Sequence, residues 1–386
     1  MYVNFKYKLF IFKLLKLKTF SKFKIDINDY NTIVLTWGSI NDFDDQGFYK
    51  DRYFNSEAKN NKNILWYVIY EGSLDVNIND KNLVVIFMDK NKKYLNFSIF
   101  FNILLNIIKI SKLNIFNFFH YLSFYSFYAI ALKKITFRND LSKIKKIIMP
   151  YEGQPFQNYI FEEISKSYKN TQTIGINHSS LLPLPTNMIF REGSPNKLIV
   201  NGSSQKSILV DHLNWNESKI YIKDSLRYKK NINYGLQGCI FFPYYLSDIK
   251  IYIKVFENFL RATKIKFGKL EIKIHPYMKN NSKNIILKNR FEKIIDQNSD
   301  KFDDNILEKR TLILGSTTSV LLALELNIEV LHICAYDIIE AFSNDIWNTI
   351  EVNEIYPKVY KYNLKNKNEI IRLSNNTISF NDYITL

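Results

Sequence analysis

The chain has 386 residues, of which 46% are hydrophobic and 16% aromatic, and it carries a formal net charge of +16 at pH 7. Its 11 Gly and 8 Pro are too few for a fibrous or disordered protein, and its length predicts two folded domains rather than one. The two cysteines, Cys239 and Cys334, lie in apolar strand-like runs away from any Cys/His cluster. This placement indicates buried free thiols in a reducing cytosol and offers no zinc site.

The positive charge is concentrated at the N-terminus, where the first 24 residues hold seven Lys and no acid. A basic arm of this kind suits anionic lipid headgroups, nucleic acid or an acidic polymer; the alternative is a solvated surface in a lysine-rich chain. Lysines interrupt the apolar residues 1–17 and no cleavage site follows, so the segment is not a signal peptide. We expect a cytoplasmic protein attached peripherally to the inner face of the plasma membrane, with an anionic membrane surface as a partner.

Apolar runs in the first half of the chain alternate with segments typical of helices. Strands are predicted at 32–37, 64–70, 83–88, 144–149, 173–176 and 198–200, and helices at 97–110, 113–133 and 156–168. Residues 113–132 carry no formal charge over a length that could span a bilayer, but their polar and aromatic side chains favour a buried or interfacial helix. The alternation predicts a parallel sheet with helices on both faces.

A polar, weakly periodic stretch at 219–238 separates this half from a second alternation. Strands are predicted there at 239–242, 270–274, 311–314 and 330–333, and helices at 248–264, 284–296 and 317–326. The sequence thus predicts an α/β protein with two βα domains facing a cleft. Residues 1–218 would form an acceptor-side domain that carries the basic arm, and residues 219–386 a domain that binds the nucleotide donor.

Polar residues of catalytic type directly follow several predicted strands, where open α/β sheets bind ligands. Glu152 follows strand 144–149, and Gly153 lets other backbone approach it closely. A carboxylate here can act as general base on a sugar hydroxyl; the alternative is a surface Glu that caps the next helix. His178 follows strand 173–176 and is a candidate second base or donor contact, or a structural loop histidine.

His275 and the residues from Gly315 to Ser319 follow two strands of the second half. His275 can neutralise or protonate a departing phosphate, and Pro276 fixes the turn. The loop offers hydroxyls and backbone N–H groups at a predicted helix start, which is typical of an anion site, although an ordinary helix N-cap has the same composition. A histidine and a hydroxyl loop after neighbouring strands could converge on one phosphate.

The acidic loop at 39–55 is a candidate metal site at first sight, because Asp42, Asp44 and Asp45 lie close together in it. Its spacing lacks the Gly and the closing Glu of a calcium loop. We therefore expect a loop that binds the acceptor or a partner, and no metal.

The ordered set of an acid followed by Gly, then His-Pro, then a hydroxyl pair at a helix start resembles the motifs of bacterial sialyltransferases and related glycosyltransferases of the GT-B fold. The segment YEGQPF at 151–156, with WGS and DRYFN upstream, is more specifically similar to a group of uncharacterised surface-carbohydrate proteins that act in capsule or lipopolysaccharide biosynthesis. The resemblance covers residues 36–326.

This resemblance implies two Rossmann-like domains and transfer of a sugar from a nucleotide donor, such as a CMP-linked nonulosonate, to a glycan or lipid-linked glycan acceptor. Glu152 would match the base of the family, His275 the residue at the nucleotide phosphate, and Ser316 with Thr317 the phosphate-binding hydroxyl pair. The expected donor-binding residues are Gly153, Gln154, Pro276, Gly315, Ser316, Thr317, Thr318 and Ser319. The expected mechanism is inverting and needs no metal or cofactor besides the donor.

Two alternatives remain open at this point. Polyol-phosphate polymerases of the teichoic-acid type resemble the same pattern; there His178 would be the base, and the donor would be CDP-glycerol or CDP-ribitol. A non-enzymatic assembly or nucleic-acid-binding protein would use only the basic arm. No nucleic-acid-binding motif is visible in the sequence, so nucleic acid is not an expected partner.

Overall fold

The structure is a computed structural model, and it describes residues 17–70, 77–88, 132, 133, 136, 140–375 and 378–385. It is a mixed α/β protein with one eight-stranded and one six-stranded sheet, both largely parallel. Two further pairs of short strands lie outside these sheets.

The eight-stranded sheet is formed by the first half of the chain. The strands of this half are β1 Leu17–Phe20, β2 Thr32–Gly38, β3 Lys50–Asp51, β4 Ser56–Glu57, β5 Ile64–Tyr70, β6 Leu83–Met88, β7 Lys146–Pro150, β8 Gln172–Ile176, β9 Lys197–Val200 and β10 Ile220–Ile222. The sheet order is β1-β6-β5-β2-β7-β8-β9-β10, while β3 and β4 form a separate antiparallel pair. Strand β1 pairs antiparallel with β6, so part of the predicted basic arm is an edge strand.

Two described helices of this half follow strands of the sheet, α1 Pro155–Ser167 and α2 Ser203–Leu213. Helix α1 begins at Pro155, which has no backbone N–H and suits the first turn, where that group would have no partner within the helix. The Gln157 side chain accepts a hydrogen bond from the backbone N–H of Gln154 at 3.0 Å. Its buried residues Phe156, Ile160 and Ile164 repeat at helical spacing and form the face that packs on the sheet. The helix therefore holds the segment just before it, which carries Glu152.

The second half contributes the six-stranded sheet. Its strands are β11 Ser225–Lys229, β12 Cys239–Phe242, β13 Glu271–Ile274, β14 Arg310–Leu314, β15 Glu329–Ile333, β16 Ile350–Tyr356, β17 Val359–Leu364 and β18 Leu373–Ser374. The sheet order is β13-β12-β14-β15-β17-β16, and β11 pairs with β18 outside it. The helices are α3 Ile249–Ala262, α4 Ser282–Gln297, α5 Ser319–Glu325, α6 Asp337–Glu340 and α7 Asn381–Ile384.

The strands predicted from apolar runs are confirmed to within two residues at each end, and so are the helices predicted in the described regions. The central strands of both sheets pair in parallel, whereas β1, β16 and β17 at the edges pair antiparallel. The predicted helices 97–110 and 113–133 lie outside the described residues, apart from Leu132 and Lys133. Among the helices of the described part of the chain, none is both long and apolar enough to cross a bilayer.

The two sheets are joined by packing as well as by the chain. One hydrophobic cluster contains residues from both, and Trp347 Nε1 donates to the carbonyl of Pro183 at 3.1 Å. Strand β10, just past the predicted boundary at 218, belongs to the first sheet. At the C-terminus Phe380 returns to stack on Phe54, with ring centroids 4.8 Å apart. The division into domains 1–218 and 219–386 stays a prediction.

Candidate active site

A cleft of about 1170 Å³ lies where the carboxyl ends of strands from the two sheets meet. Its lining includes Glu152 and His178, which follow β7 and β8 of the first sheet. On the other side His275 directly follows β13, and the hydroxyl loop follows β14. The cleft thus brings together these predicted site residues: Glu152, His178, His275, Pro276, Ser316, Thr317, Thr318 and Ser319.

Glu152 is held by the turn that leads into α1. Its backbone N–H donates to Gln157 Oε1 at 3.0 Å, and Gln154 Nε2 donates to Glu152 Oε2 at 3.0 Å. The side chain is 42% exposed, and it faces the cleft rather than bulk solvent. Burial raises the pKa of its carboxyl above the ordinary value, while the Gln154 hydrogen bond and the positive charge of Arg227 partly offset that rise. A carboxylate with a raised pKa is a better proton acceptor than an ordinary glutamate.

Gly153 and Gln154 follow Glu152 in the turn before α1, and neither is among the residues that line the large cleft. Gly153 has a φ of +67°, and a Cβ there would lie 2.1 Å from the carbonyl oxygen of Asn187. Gln154 lines a smaller cavity of about 160 Å³ next to Glu152 and His178. The predicted contact of these two residues with the donor stays a prediction.

His178 is a buried, neutral histidine. Its Nε2 lies 3.5 Å from Glu152 Oε1, its side chain is 8% exposed, and its ring meets the edge of Tyr53 at a centroid distance of 4.6 Å. Burial, reinforced by the charge of Arg227, lowers the pKa of His178 to about 3. Its Nδ1 is buried and has no hydrogen-bond partner among the described residues.

His275 forms part of the opposite wall. Its backbone N–H donates to the carbonyl of Phe242 at 2.9 Å, which continues the pairing of β12 with β13. Its ring contacts Tyr244 edge-on at a centroid distance of 5.6 Å. Burial first, and the charge of Arg227 second, lower the pKa of His275, so its ring is neutral near pH 7.

The hydroxyl loop from Gly315 to Ser319 is ordered by internal and tertiary contacts. Gly315 has a φ of +62°, and a Cβ there would meet the Tyr252 hydroxyl at 2.8 Å. Its carbonyl accepts a hydrogen bond from His332 Nε2 at 2.7 Å, and Ser319 N–H donates to Thr317 Oγ1 at 3.2 Å. Helix α5 begins at Ser319, two residues after the predicted start at Thr317, and it has only seven residues. The loop presents its hydroxyls to the cleft. Helix α5 is too short to add a strong dipole at this site.

The acidic N-terminal loop contributes a structural ion pair at the cleft rim. The Asp42 carboxylate accepts from Arg52 Nε at 3.0 Å and caps the backbone N–H of Ser39 at 2.7 Å. Asp44 Oδ1 accepts the N–H groups of Gln46 and Phe48. Within the described residues no group of three His, Cys, Asp or Glu could hold a metal.

Sequence reasoning missed three residues of the site region. Arg227 on β11 lines the cleft but lies in the stretch that was interpreted only as a domain boundary. Tyr244 follows β12 and contacts His275, and His332 is buried in β15 behind the hydroxyl loop. Lysine is far commoner than arginine in this chain, so an arginine in the boundary stretch could have marked Arg227 as a candidate anion-binding residue.

Comparison with known proteins gives no family assignment. No protein-family model matches the chain, and no curated protein matches it. The chemistry of the site therefore rests on the cleft itself: a carboxylate with a raised pKa on one wall, and a neutral imidazole with a hydroxyl loop on the other. A carboxylate facing such a wall can take a proton from one reactant while the wall holds an anion of the other.

Proposed function

We propose that this protein is a glycosyltransferase of surface polysaccharide biosynthesis with two Rossmann-like halves in the GT-B arrangement. It transfers a sugar, such as a CMP-linked nonulosonate, to a glycan or lipid-linked glycan acceptor by an inverting, metal-independent mechanism. The observation that carries this proposal is the single cleft in which Glu152 faces His275 and the loop from Ser316 to Ser319.

The proposed reaction uses each wall for one substrate. Glu152 takes the proton of an acceptor hydroxyl, whose oxygen attacks the anomeric carbon of the donor. The bond from that carbon to the phosphate oxygen breaks, and the phosphate leaves with the bonding electrons. His275 stabilises the charge that develops on the phosphate, and the hydroxyls of Ser316 and Thr317 hold that phosphate before and after transfer.

The environments of the two candidate bases favour Glu152 over His178. Proton transfer is most efficient when the pKa of the base lies near the working pH. Burial moves the pKa of Glu152 up toward neutrality, whereas it moves the pKa of His178 down to about 3. The 42% exposed Glu152 side chain also reaches the cleft, while His178 is only 8% exposed. This contrast supports glycosyl transfer over the CDP-polyol alternative, in which His178 is the base.

The test combines ligand screening with paired variants. A thermal-shift screen with CMP, UDP, GDP and CDP-glycerol identifies the nucleotide, because ligands that bind the folded state raise its melting temperature. Glu152→Gln should abolish sugar transfer from the matching donor and leave nucleotide binding intact, since the base touches the acceptor. Glu192→Gln, at a side chain that is 73% exposed, is the matched control and should keep full activity. Full activity of Glu152→Gln together with an inactive His178→Ala would replace this proposal with polyol-phosphate transfer.

A further inference from the structure

We propose that Arg227 is the residue that binds the anionic phosphate of the donor, and that it serves as the positive charge of the cleft. This inference rests on the proposed function and names the charged group that the donor must carry.

Two arginines and no lysine are among the described residues that line the cleft. The Arg52 guanidinium is already paired at the rim of the cleft: it forms an ion pair with Asp42, and its Nη2 donates to Ser39 Oγ at 2.6 Å. No Asp or Glu of the described residues forms an ion pair with Arg227. A guanidinium that faces a cleft without a carboxylate partner is suited to an anionic ligand, and its planar donors match a phosphate in two-point geometry.

Neither cleft histidine can supply that charge in the free protein. Burial keeps His178 and His275 neutral near pH 7, so each offers a hydrogen bond but no positive charge. The leaving phosphate would otherwise gain charge opposite the Glu152 carboxylate with only neutral groups around it. Arg227 supplies the missing cation, as electrostatic stabilisation of a transition state requires.

Arg227 is also held in place before any ligand arrives. Its backbone N–H donates to Ser225 Oγ at 3.2 Å, and its guanidinium lies over the ring of the buried Tyr228 at 5.2 Å from the centroid. The backbone N–H of Tyr228 donates to the same Ser225 Oγ at 2.9 Å, so the backbone of both residues is fixed, while Arg227 itself is exposed. A backbone that is already ordered loses less conformational freedom when the side chain binds a ligand.

The positive charge of Arg227 acts on titratable side chains of both walls of the cleft. It lowers the pKa of His178 on one side and of His275 on the other, and it offsets part of the pKa rise of Glu152. A phosphate paired with Arg227 would cancel this effect at His275. The pKa of His275 would then rise when the donor binds, which prepares its imidazole to donate a proton to the departing phosphate.

The experiment compares wild type, Arg227→Gln and Arg227→Lys in binding of CMP, CDP, UMP and inorganic pyrophosphate by calorimetry. Arg227→Gln should weaken the ligand that wild type binds by about 10- to 100-fold, the usual loss for a hydrogen bond to a charged group. Arg227→Lys should fall between the two, because it keeps the charge and loses the planar fork. Arg261→Gln, at an exposed guanidinium on α3 that pairs with Glu257, is the matched control and should bind as wild type does.

A second readout does not depend on the identity of the ligand. The chain has five His, so the His275 ring signal can be assigned by NMR from its loss in His275→Ala. In ligand-free Arg227→Gln the pKa of His275 should be higher than in wild type, because a nearby positive charge is gone. An unchanged His275 titration together with unchanged ligand affinity would overturn the assignment of Arg227.

The outcomes separate this inference from the proposed function. Unchanged nucleotide affinity in Arg227→Gln, with sugar transfer still abolished by Glu152→Gln, would overturn the role of Arg227 and leave glycosyl transfer standing. Pyrophosphate binding that depends on Arg227, in a protein that transfers no sugar from any nucleotide donor, would keep the anion site and overturn glycosyl transfer. No binding of any of these four ligands, or of the nucleotides of the thermal-shift screen, to wild type would overturn both.

Discussion

At the scale of single residues, the raised pKa of Glu152 has consequences of opposite sign for activity and stability. Because the base must be ionised, kcat/KM should fall as the pH drops through its pKa, so the acid limb of the profile should lie above 4.5. The folded protein holds this proton more tightly than the unfolded chain does, so the ionised carboxylate costs stability at higher pH.

Glu152→Gln should therefore lose activity without losing stability. At pH 7 its melting temperature should equal or exceed that of wild type, since the substitution removes a carboxylate whose ionised form is disfavoured by desolvation. Differential scanning calorimetry at pH 5 and pH 7 measures this, and the advantage of the variant should be larger at pH 7. A clear loss of stability at pH 7 would mean that the carboxylate is a structural group.

His275→Ala provides a second test at this scale. If His275 donates a proton to the leaving phosphate, the substitution should lower kcat by about 10²- to 10⁴-fold. His212→Ala, at an exposed histidine in α2, is the matched control. A loss below tenfold, measured with saturating donor, would leave His275 a binding role only.

The catalytic candidates were predictable because each follows an apolar strand directly, and such positions project into the cleft of an α/β sheet. Glu152, His178 and His275 all lie within two residues of a strand end. Arg227 could not be placed this way, since β11 is part of neither large sheet and, among the described strands, pairs with the distant β18 alone. Its position depends on tertiary contacts that its neighbours in sequence do not reveal.

At the scale of elements, the loop between β14 and α5 should act on the donor rather than on the reaction step. Ser316→Ala combined with Thr317→Val should raise the dissociation constant of the matching nucleotide and change kcat little, because hydroxyl contacts to the phosphate exist before and after transfer. Calorimetry and steady-state kinetics measure the two effects. Ser142→Ala, at an exposed serine outside the cleft, is the control. A fall in kcat at unchanged affinity would contradict the role of the loop.

The same scale shows why some strands escaped prediction. Strand β16 alternates buried or half-buried residues such as Ile350 and Val352 with exposed ones such as Glu351, so it never forms a continuous apolar run. It lies at the sheet edge, where one face meets water. Central strands such as β5 are buried at every position and were therefore found to the exact residue.

At the scale of the whole molecule, we propose that the basic N-terminal arm holds the protein on the inner face of the membrane. Four of its seven lysines lie in residues 1–16, and each could contribute about 1 kcal/mol near an anionic surface. Because Leu17–Phe20 is an edge strand, the deletion should end at Lys16 and leave the sheet intact.

Deletion of residues 1–16 should reduce co-sedimentation with phosphatidylserine vesicles at low salt and leave sugar transfer to a soluble acceptor unchanged. Vesicles of phosphatidylcholine alone are the control and should bind neither protein. Equal binding of the deleted protein to the anionic vesicles, at low and high salt, would place the membrane contact elsewhere in the chain.

Strands β11 and β18 belong to the two segments by which the chain passes between the sheets, and they pair with each other beside the cleft. Arg227 lies between Ser225 and Lys229, the two residues of β11 that pair with Leu373 and Ser374 of β18. The position of this cleft arginine therefore depends on the returning segment as much as on its own strand, because the same pairing ties the two crossings together.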